Sequence, residues 1–157
     1  MRNFDTRQLN TIAQQFGKAL QTTLLREGKV SSGKLVSSIK GEIEYDGRYF
    51  SVELNTADYF KYVNEGRKAG KFPPLNAIRQ WITVKGILPR PYKGKLPTTN
   101  QLAYLIGRKI SKQGIQGTHS LEKTEKNYRL EDRITEALLE VFEKEIDKTI
   151  KEFYEVE

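Results

Sequence analysis

The apolar residues near the carboxyl end of the chain repeat at helical spacing over 25 residues, and this repeat constrains the fold more than any other feature. Its members are Leu130, Ile134, Leu138, Val141, Phe142, Ile146, Ile150 and Phe153. A helix over residues 130–154 would span about 37 Å. The chain has 157 residues, which fits one domain. A helix of this length is therefore as long as the body on which it packs.

A second long helix is predicted near the start of the chain. Asp5 is a suitable N-cap. Apolar residues then recur at helical spacing up to about Glu27, at Leu9, Ile12, Ala13, Phe16, Ala19, Leu20 and Leu24. Gly28 is expected to stop this helix. Ser31, Ser32 and Gly33 open a short segment, residues 34–38, which is either one more helical turn or the lead into a strand.

The dipeptide Asp46-Gly47 predicts a β-hairpin, because it tolerates the positive backbone angles of a type I′ turn. A two-residue loop would pair Tyr45 with Arg48, Ile43 with Phe50, Gly41 with Val52 and Ile39 with Leu54. The apolar residues would then share one face of the hairpin. Lys40 would lie opposite Glu53, and Glu42 opposite Ser51, on the other face.

The middle of the chain predicts three helices: residues 57–65, residues 73–86, and a third that Thr98 or Thr99 caps and Gly114 stops. Phe60, Trp81 and Tyr104 are expected to fill the core. Residues 66–72 form a loop. Residues 87–98 are an irregular basic loop, because no regular element tolerates their proline density. Residues 115–121 are predicted to be extended. The predicted fold is α+β: a core domain over residues 1–121, with a small antiparallel sheet packed by helices, then a linker and a long acidic helix over 122–157. That helix packs on the body or on a neighbouring subunit.

Charge is divided unevenly along the chain, whose net charge is +7. Residues 1–120 contain 20 Lys and Arg against 8 Asp and Glu, whereas residues 121–157 contain 7 against 12. Within residues 61–112 there are 12 basic residues and one acid, Glu65. This distribution predicts a positive surface on the middle of the chain and a negative carboxyl-terminal helix.

The residue types leave little material for a catalytic or metal site. The chain has no cysteine, which excludes disulfides, thiolate catalysis and cysteine zinc sites. His119 is the single histidine. Glu42 and Glu44 are interpreted as part of a charged outer face. We expect no catalytic residues, no cofactor and no metal; a metal-dependent nuclease using these three residues is the enzyme alternative. No apolar run reaches the about 18 residues of a membrane span, and no signal peptide is evident, so a soluble protein with no membrane partner is expected.

The loop Gly66-Arg67-Lys68-Ala69-Gly70-Lys71 has the glycines and cations of an anion-binding loop. It lacks the spacing of a Walker motif, so it is interpreted as a contact loop. Non-specific contact with DNA phosphates is the second interpretation. The candidate subunit or DNA contacts are Arg67, Lys68, Lys71, Arg90, Lys93 and Lys95.

Several segments in the middle of the chain resemble the tail-completion or neck (head–tail joining) proteins of tailed bacteriophages. They are YFKYVNEGRKAGKFPP at residues 59–74, IRQWI at 78–82, KGI at 85–87, AYLIGRKI at 103–110 and GIQGTH at 114–119. The likeness covers roughly residues 30–120, and the extended acidic carboxyl-terminal helix departs from it.

The resemblance implies a structural virion protein made in the host cytoplasm. Such a subunit forms a homo-oligomeric ring at the head–tail junction, around the DNA channel, and contacts portal or adaptor proteins and tail proteins. It implies an α+β fold and no catalytic residues. A small basic DNA-binding accessory protein that uses the six candidate contacts is the alternative.

Overall fold

The computed structural model describes residues 6–28, 33–91 and 94–154. This part of the chain forms seven helices and two antiparallel sheets of two strands each. In chain order the elements are α1 (Arg7–Arg26), α2 (Lys34–Ser38), β1 (Lys40–Tyr45), β2 (Phe50–Asn55), α3 (Phe60–Asn64), β3 (Gly66–Arg67), α4 (Leu75–Val84), α5 (Thr99–Gln113), β4 (Ile115–Gln116), α6 (Ser120–Tyr128) and α7 (Leu130–Tyr154).

The predicted α+β class, with long helices at both ends, is confirmed. The bounds of α7 are those predicted from its apolar repeat. Asp5, Ser31 and Ser32 lie outside the described residues. None of the helices in the described ranges is both long and apolar enough to cross a membrane.

Contacts within the chain define two compact units. Unit 1 contains the described residues up to Leu24, from Ser38 to Thr56, and from Ser120 onward. Unit 2 contains those from Leu25 to Ser37 and from Ala57 to His119. The predicted boundary between core and appendage, after residue 121, falls inside α6. The assignment of domains stays a prediction.

Helix α1 supplies most of the core of unit 1. Its buried residues follow the predicted periodicity, at Leu9, Ala13, Phe16, Leu20 and Leu24. The β1–β2 hairpin crosses α1 very closely at Gly41. An ideal Cβ on this residue would lie only 1.9 Å from the carbonyl oxygen of Ala13. The side-chain oxygen of Asn10 accepts a hydrogen bond from the backbone N–H of Ile43 at 3.1 Å. Helix and hairpin are therefore held by packing and by direct bonding.

The predicted hairpin register is wrong by two residues, although the pair of strands is confirmed. Ile43 lies opposite Val52 and Gly41 opposite Leu54, so Asp46 to Tyr49 form a four-residue loop. One carboxylate oxygen of Asp46 accepts the N–H groups of Arg48 and Tyr49, each at 2.8 Å, and closes this longer loop. Because the shift is even, each side chain keeps its predicted face.

The segment predicted as a linker forms helix α6 instead. Its buried residues are polar: the hydroxyl of Thr124 lies 3.0 Å from that of Thr23 and donates to the carbonyl of Ser120 at 2.6 Å. The hydroxyl of Tyr128 donates to the side chain of Gln15 at 2.9 Å, and its ring lies 5.8 Å from that of Phe16. Helix α6 is thus held to α1 largely by hydrogen bonds. It lacks the apolar stripe from which a helix can be predicted in a sequence.

Helices α4 and α5 form the core of unit 2. Ile78, Ile82 and Ala103 are buried, and partly buried apolar residues surround them. Thr98, one of the two predicted caps, caps α5 in a capping box with Gln101. Of the three aromatic residues expected in the core, only Phe60 is buried; Trp81 is 42% exposed and Tyr104 53%. Both expectations are corrected, since Ile78 and Ile82 occupy the interior side of α4 and Ala103 and Gly107 occupy that of α5.

Candidate functional site

Three glycines bring two distant stretches of unit 2 into backbone contact. Strand β3 pairs with β4, with Gly66 opposite Gln116. Gly66 has a φ of 85°, and an ideal Cβ there would lie 2.3 Å from the carbonyl oxygen of Ile115. Gly114 has a φ of 72°, and its Cβ would lie 2.2 Å from the oxygen of Arg67. At Gly117 the Cβ would lie 2.3 Å from the oxygen of Asn64. We call residues 63–70 and 111–119 together the glycine junction.

Hydrogen bonds close the glycine junction at both ends. The N–H of Thr118 donates to the carbonyl of Val63 at 3.0 Å, and the N–H of His119 donates to that of Asn64 at 2.9 Å. At the other end, the N–H of Gly70 donates to the carbonyl of Ser111 at 2.8 Å. The loop predicted over residues 66–72 is therefore tied to α5 and β4. The N–H of Gly70 is therefore already bonded to a protein carbonyl, which weakens the interpretation of this segment as an anion-binding loop.

The end of the loop is anchored by Phe72, which stacks on Tyr104 with ring centroids 5.6 Å apart. Gly107 leaves the space for this ring, because a Cβ there would lie 2.6 Å from the Cζ of Phe72. Pro73 is buried beside it. The loop consequently has a fixed path from β3 to the start of α4.

Three of the six predicted contact residues lie on this loop. Arg67 is half-buried and its guanidinium donates to the carbonyl of Lys71 at 2.5 Å, so this residue helps to shape the loop. Lys68 and Lys71 are exposed. Lys112 lies in the last turn of α5, next to the residue that bonds Gly70. The loop thus presents two exposed cations, Lys68 and Lys71.

The other predicted contacts lie in the irregular loop before α5. Arg90 and Lys95 are exposed, and Lys93 lies outside the described residues. Lys95 lines an open cleft of about 990 Å³ at the start of α5. The apolar part of its lining is formed by Leu96, Pro97, Tyr104 and Leu105. Sequence reasoning missed this cleft. Its signal was that Leu105 is a large apolar residue outside the set that packs α5 into the core of unit 2, which is Leu102, Ala103, Ile106 and Ile110.

The acidic residues considered as a metal site lie on the hairpin. Glu42, Glu44 and Glu53 share its exposed face, with Glu42 opposite Glu53. In residues 6–28, 33–91 and 94–154, no group of three or more His, Cys, Asp or Glu could hold a metal ion. His119 is exposed, with a φ of 51°, and immediately precedes α6. Its backbone bond makes it a turn residue of the glycine junction.

The acidic face of the hairpin should make stability depend on pH. The charge of Glu44, followed by desolvation, raises the pKa of Glu53 above its ordinary value. The folded state therefore binds the Glu53 proton more tightly than the unfolded state, and stability from this group falls as pH rises through that pKa. We expect Glu53→Gln to raise the melting temperature at pH 7 in low salt. The gain should vanish below about pH 4, where a glutamate is protonated in both states.

Asp46 provides a control of opposite sign on the same hairpin. The N–H groups of Tyr49 and Arg48 lower the pKa of Asp46, so its stabilisation is present above its unfolded pKa and is lost as pH falls through the folded value. Asp46→Asn should therefore lower the melting temperature at pH 7. A lower melting temperature for Glu53→Gln under the same conditions would contradict the prediction.

No protein-family model matches the sequence, and comparisons with curated proteins and with solved structures give no match. The functional interpretation therefore rests on the residues of the glycine junction, on the charge distribution and on the sequence resemblance.

Proposed function

We propose that this protein is a structural subunit of a tailed bacteriophage, which forms a homo-oligomeric ring at the head–tail junction around the DNA channel. In this role it contacts portal or adaptor proteins on one side and tail proteins on the other. The chemistry of the subunit is recognition by surfaces, without a catalytic group.

The glycine junction is the observation that carries the proposal. The segments that resemble neck proteins include residues 59–74, 103–110 and 114–119, and about 30 positions separate the first from the second. Gly66, Gly114 and Gly117 join the first of these segments to the last, backbone to backbone. The residues that carry the resemblance are thus among those that one local structure requires, which supports the proposal over a chance likeness of scattered letters.

The distribution of charge supports self-association in a ring. A ring of identical subunits needs two different surfaces that complement each other. This chain carries 12 basic residues and one acid over residues 61–112, and eight acidic against four basic residues over α7. Opposite charges on two parts of one chain favour contact between neighbouring copies and disfavour contact between identical faces.

The test is the state of the full-length protein in solution and in particles. We expect a closed oligomer of defined mass by mass photometry or analytical ultracentrifugation, and the same chain as a stoichiometric component of purified virions. Its association should weaken as salt is raised, because part of the attraction is between exposed charges.

A chain that stays monomeric at every accessible concentration and is absent from purified particles would exclude the proposal. The exposed Lys68, Lys71, Arg90 and Lys95 favour a second candidate, a DNA-binding accessory protein. A monomer that binds duplex DNA with a steep salt dependence would support that candidate, provided that neutralising its exposed cations abolishes binding.

A further inference from the structure

Helix α7 carries two apolar faces, and only one of them is covered. Its buried residues are Ala137 and Val141. Six large apolar residues of α7 are exposed, and four of them, which are 48 to 84% exposed, lie on one side of the helix: Leu139, Ile146, Ile150 and Phe153. At 100° per residue, these four fall within a sector of about 60°, and Ile146 lies about 180° from Ala137. We call these four residues the exposed stripe. A contiguous row of this kind is typical of an interaction surface, whereas single exposed apolar residues are ordinary.

The charged residues of α7 are arranged around the exposed stripe. At 100° per residue, Glu143 and Asp147 lie about 20° and 60° beyond one edge of it, and Glu145 lies about 80° beyond the other edge. Lys144, Lys148 and Lys151 lie within about 40° of the opposite direction. Pairing of two such stripes would bring acidic borders together, which is unfavourable. The stripe therefore suits an apolar partner surface with a positive rim.

The cleft of unit 2 has these properties. Leu96 is 64% exposed, and Tyr104 and Leu105 are each 53% exposed, so its apolar lining is open to a partner. Its volume of about 990 Å³ is at the upper end of the range for ligand pockets and admits several side chains.

The rim of the cleft is positive. Lys95 is part of the lining. The guanidinium of Arg79 donates to the side-chain oxygen of Asn100, another lining residue, at 3.0 Å. Arg108 lies one helical turn beyond Tyr104 on α5. Cations thus surround an apolar centre, which complements the acidic borders and apolar centre of the exposed stripe.

We infer that the exposed stripe of one copy docks into the cleft on unit 2 of a second copy of this chain. The contact is head to tail, so each subunit offers its stripe to one neighbour and its cleft to the other, and repetition closes a ring. The inference rests on the proposed function for the statement that copies associate. It adds which two surfaces meet, and it assigns a role to the acidic helix that departs from the family likeness.

Introduced cysteines test the contact directly, because the full-length chain has none of its own. Two single variants, Ile150→Cys and Leu105→Cys, are mixed and treated with a short bifunctional maleimide. The mixture should give a covalent dimer that neither protein gives alone. Lys148→Cys, on the opposite side of α7, is the matched control and should give no dimer with Leu105→Cys.

Two cross-linking results would overturn the inference. A covalent dimer from Ile150→Cys alone would show that two α7 helices pair. Intramolecular cross-linking of a chain that carries both cysteines, with no covalent oligomer, would show that the stripe reaches the cleft of its own chain.

Substitution provides a second measurement. Phe153→Ala should weaken self-association by about 10-fold or more, as expected when a large aromatic side chain that a partner's cleft would bury is truncated. The pair Glu143→Lys and Asp147→Lys should also weaken it, and adding Lys95→Glu and Arg108→Glu in the same chain should restore it. If the wild-type chain forms rings but neither cross-linking nor these variants respond, the inference is wrong and the proposed function stands. A wild-type chain that is monomeric throughout, and absent from particles, overturns both.

Discussion

Gly41→Ala is expected to lower the free energy of unfolding by about 3 kcal/mol or more, the largest effect we expect from adding one methyl group to this chain. The Cβ would lie 1.9 Å from the carbonyl oxygen of Ala13 and 2.6 Å from its carbonyl carbon. Both are backbone atoms of helix α1, so a change of side-chain rotamer cannot relieve the clash. From the other direction, a Cβ on Gly17 would lie 3.0 Å from the backbone nitrogen of Gly41. Helix α1 and strand β1 must therefore separate to admit the methyl group.

The expected destabilisation by Gly41→Ala is opposite in sign to the usual effect of such a substitution. In a strand, replacing glycine by alanine usually stabilises a protein by about 0.4–1 kcal/mol, because it restricts the unfolded chain. Domains of this size are stable by only about 5–15 kcal/mol, so the expected loss is a large fraction of the total. Chemical denaturation measures it. Hydrogen exchange at the amide of Ile43, which donates to Asn10, should report the separation of hairpin and helix.

Gly47→Ala is the matched control in the same hairpin. Gly47 has a φ of 96°, and nothing lies within 4 Å of its ideal Cβ. Its substitution therefore costs only backbone strain, of about 1–2 kcal/mol. A Gly41→Ala protein as stable as the wild type, or more stable than Gly47→Ala, would contradict the close approach of α1 and β1.

The elements that the sequence pattern predicted best are those stabilised by their own apolar periodicity. Helix α1 buries Leu9, Ala13, Phe16, Leu20 and Leu24 at the predicted spacing, and α7 begins and ends where its repeat does. Capping chemistry was equally direct for α5, because Thr98 and Gln101 satisfy each other's backbone groups within one turn. Apolar periodicity and capping are local patterns, so they can be read without knowing which element the helix packs against.

The features that were missed depend on contacts between residues distant in sequence. Helix α6 is held by Thr124 against Thr23 and by Tyr128 against Gln15, about a hundred positions away. The hairpin loop is set by one Asp46 oxygen that accepts two N–H groups, which the Asp-Gly dipeptide alone does not distinguish from a two-residue turn. In both cases hydrogen bonds decide the structure. The polar composition of α6 indicated a linker, and the Asp-Gly dipeptide indicated a tight turn.

The sequence predicted which residue types make up the candidate site, but it did not predict how they are arranged. Arg67, Lys68 and Lys71 were recognised as a basic loop from their sequence, whereas the bond from Gly70 to Ser111 that fixes the loop has no local signature. Periodicity placed Ile146 and Ile150 on α7, but it could not separate the covered face from the exposed one. That distinction requires knowing which part of α7 packs in unit 1.

Gly66→Ala and Gly114→Ala are each expected to open the glycine junction, at a cost of about 3 kcal/mol from two sources. The positive φ strains any residue with a Cβ by about 1–2 kcal/mol, and the methyl group would meet a backbone oxygen, that of Ile115 or of Arg67. We expect faster hydrogen exchange at the amides of Thr118 and His119, which donate across the junction. If the proposed function is right, ring assembly should weaken with it, since the loop that carries Lys68 and Lys71 loses its fixed path.

Gly70→Ala separates strain from collision, because this residue has a φ of 133° on the same loop and nothing within 4 Å of its ideal Cβ. It should lose stability from strain alone and keep Thr118 and His119 protected. The double variant of Gly66 and Gly114 should cost less than the sum of the two single variants, because either methyl group already parts the same two backbones. Additive losses, or protected amides in Gly66→Ala, would mean that β3 and β4 do not approach as closely as their glycines allow.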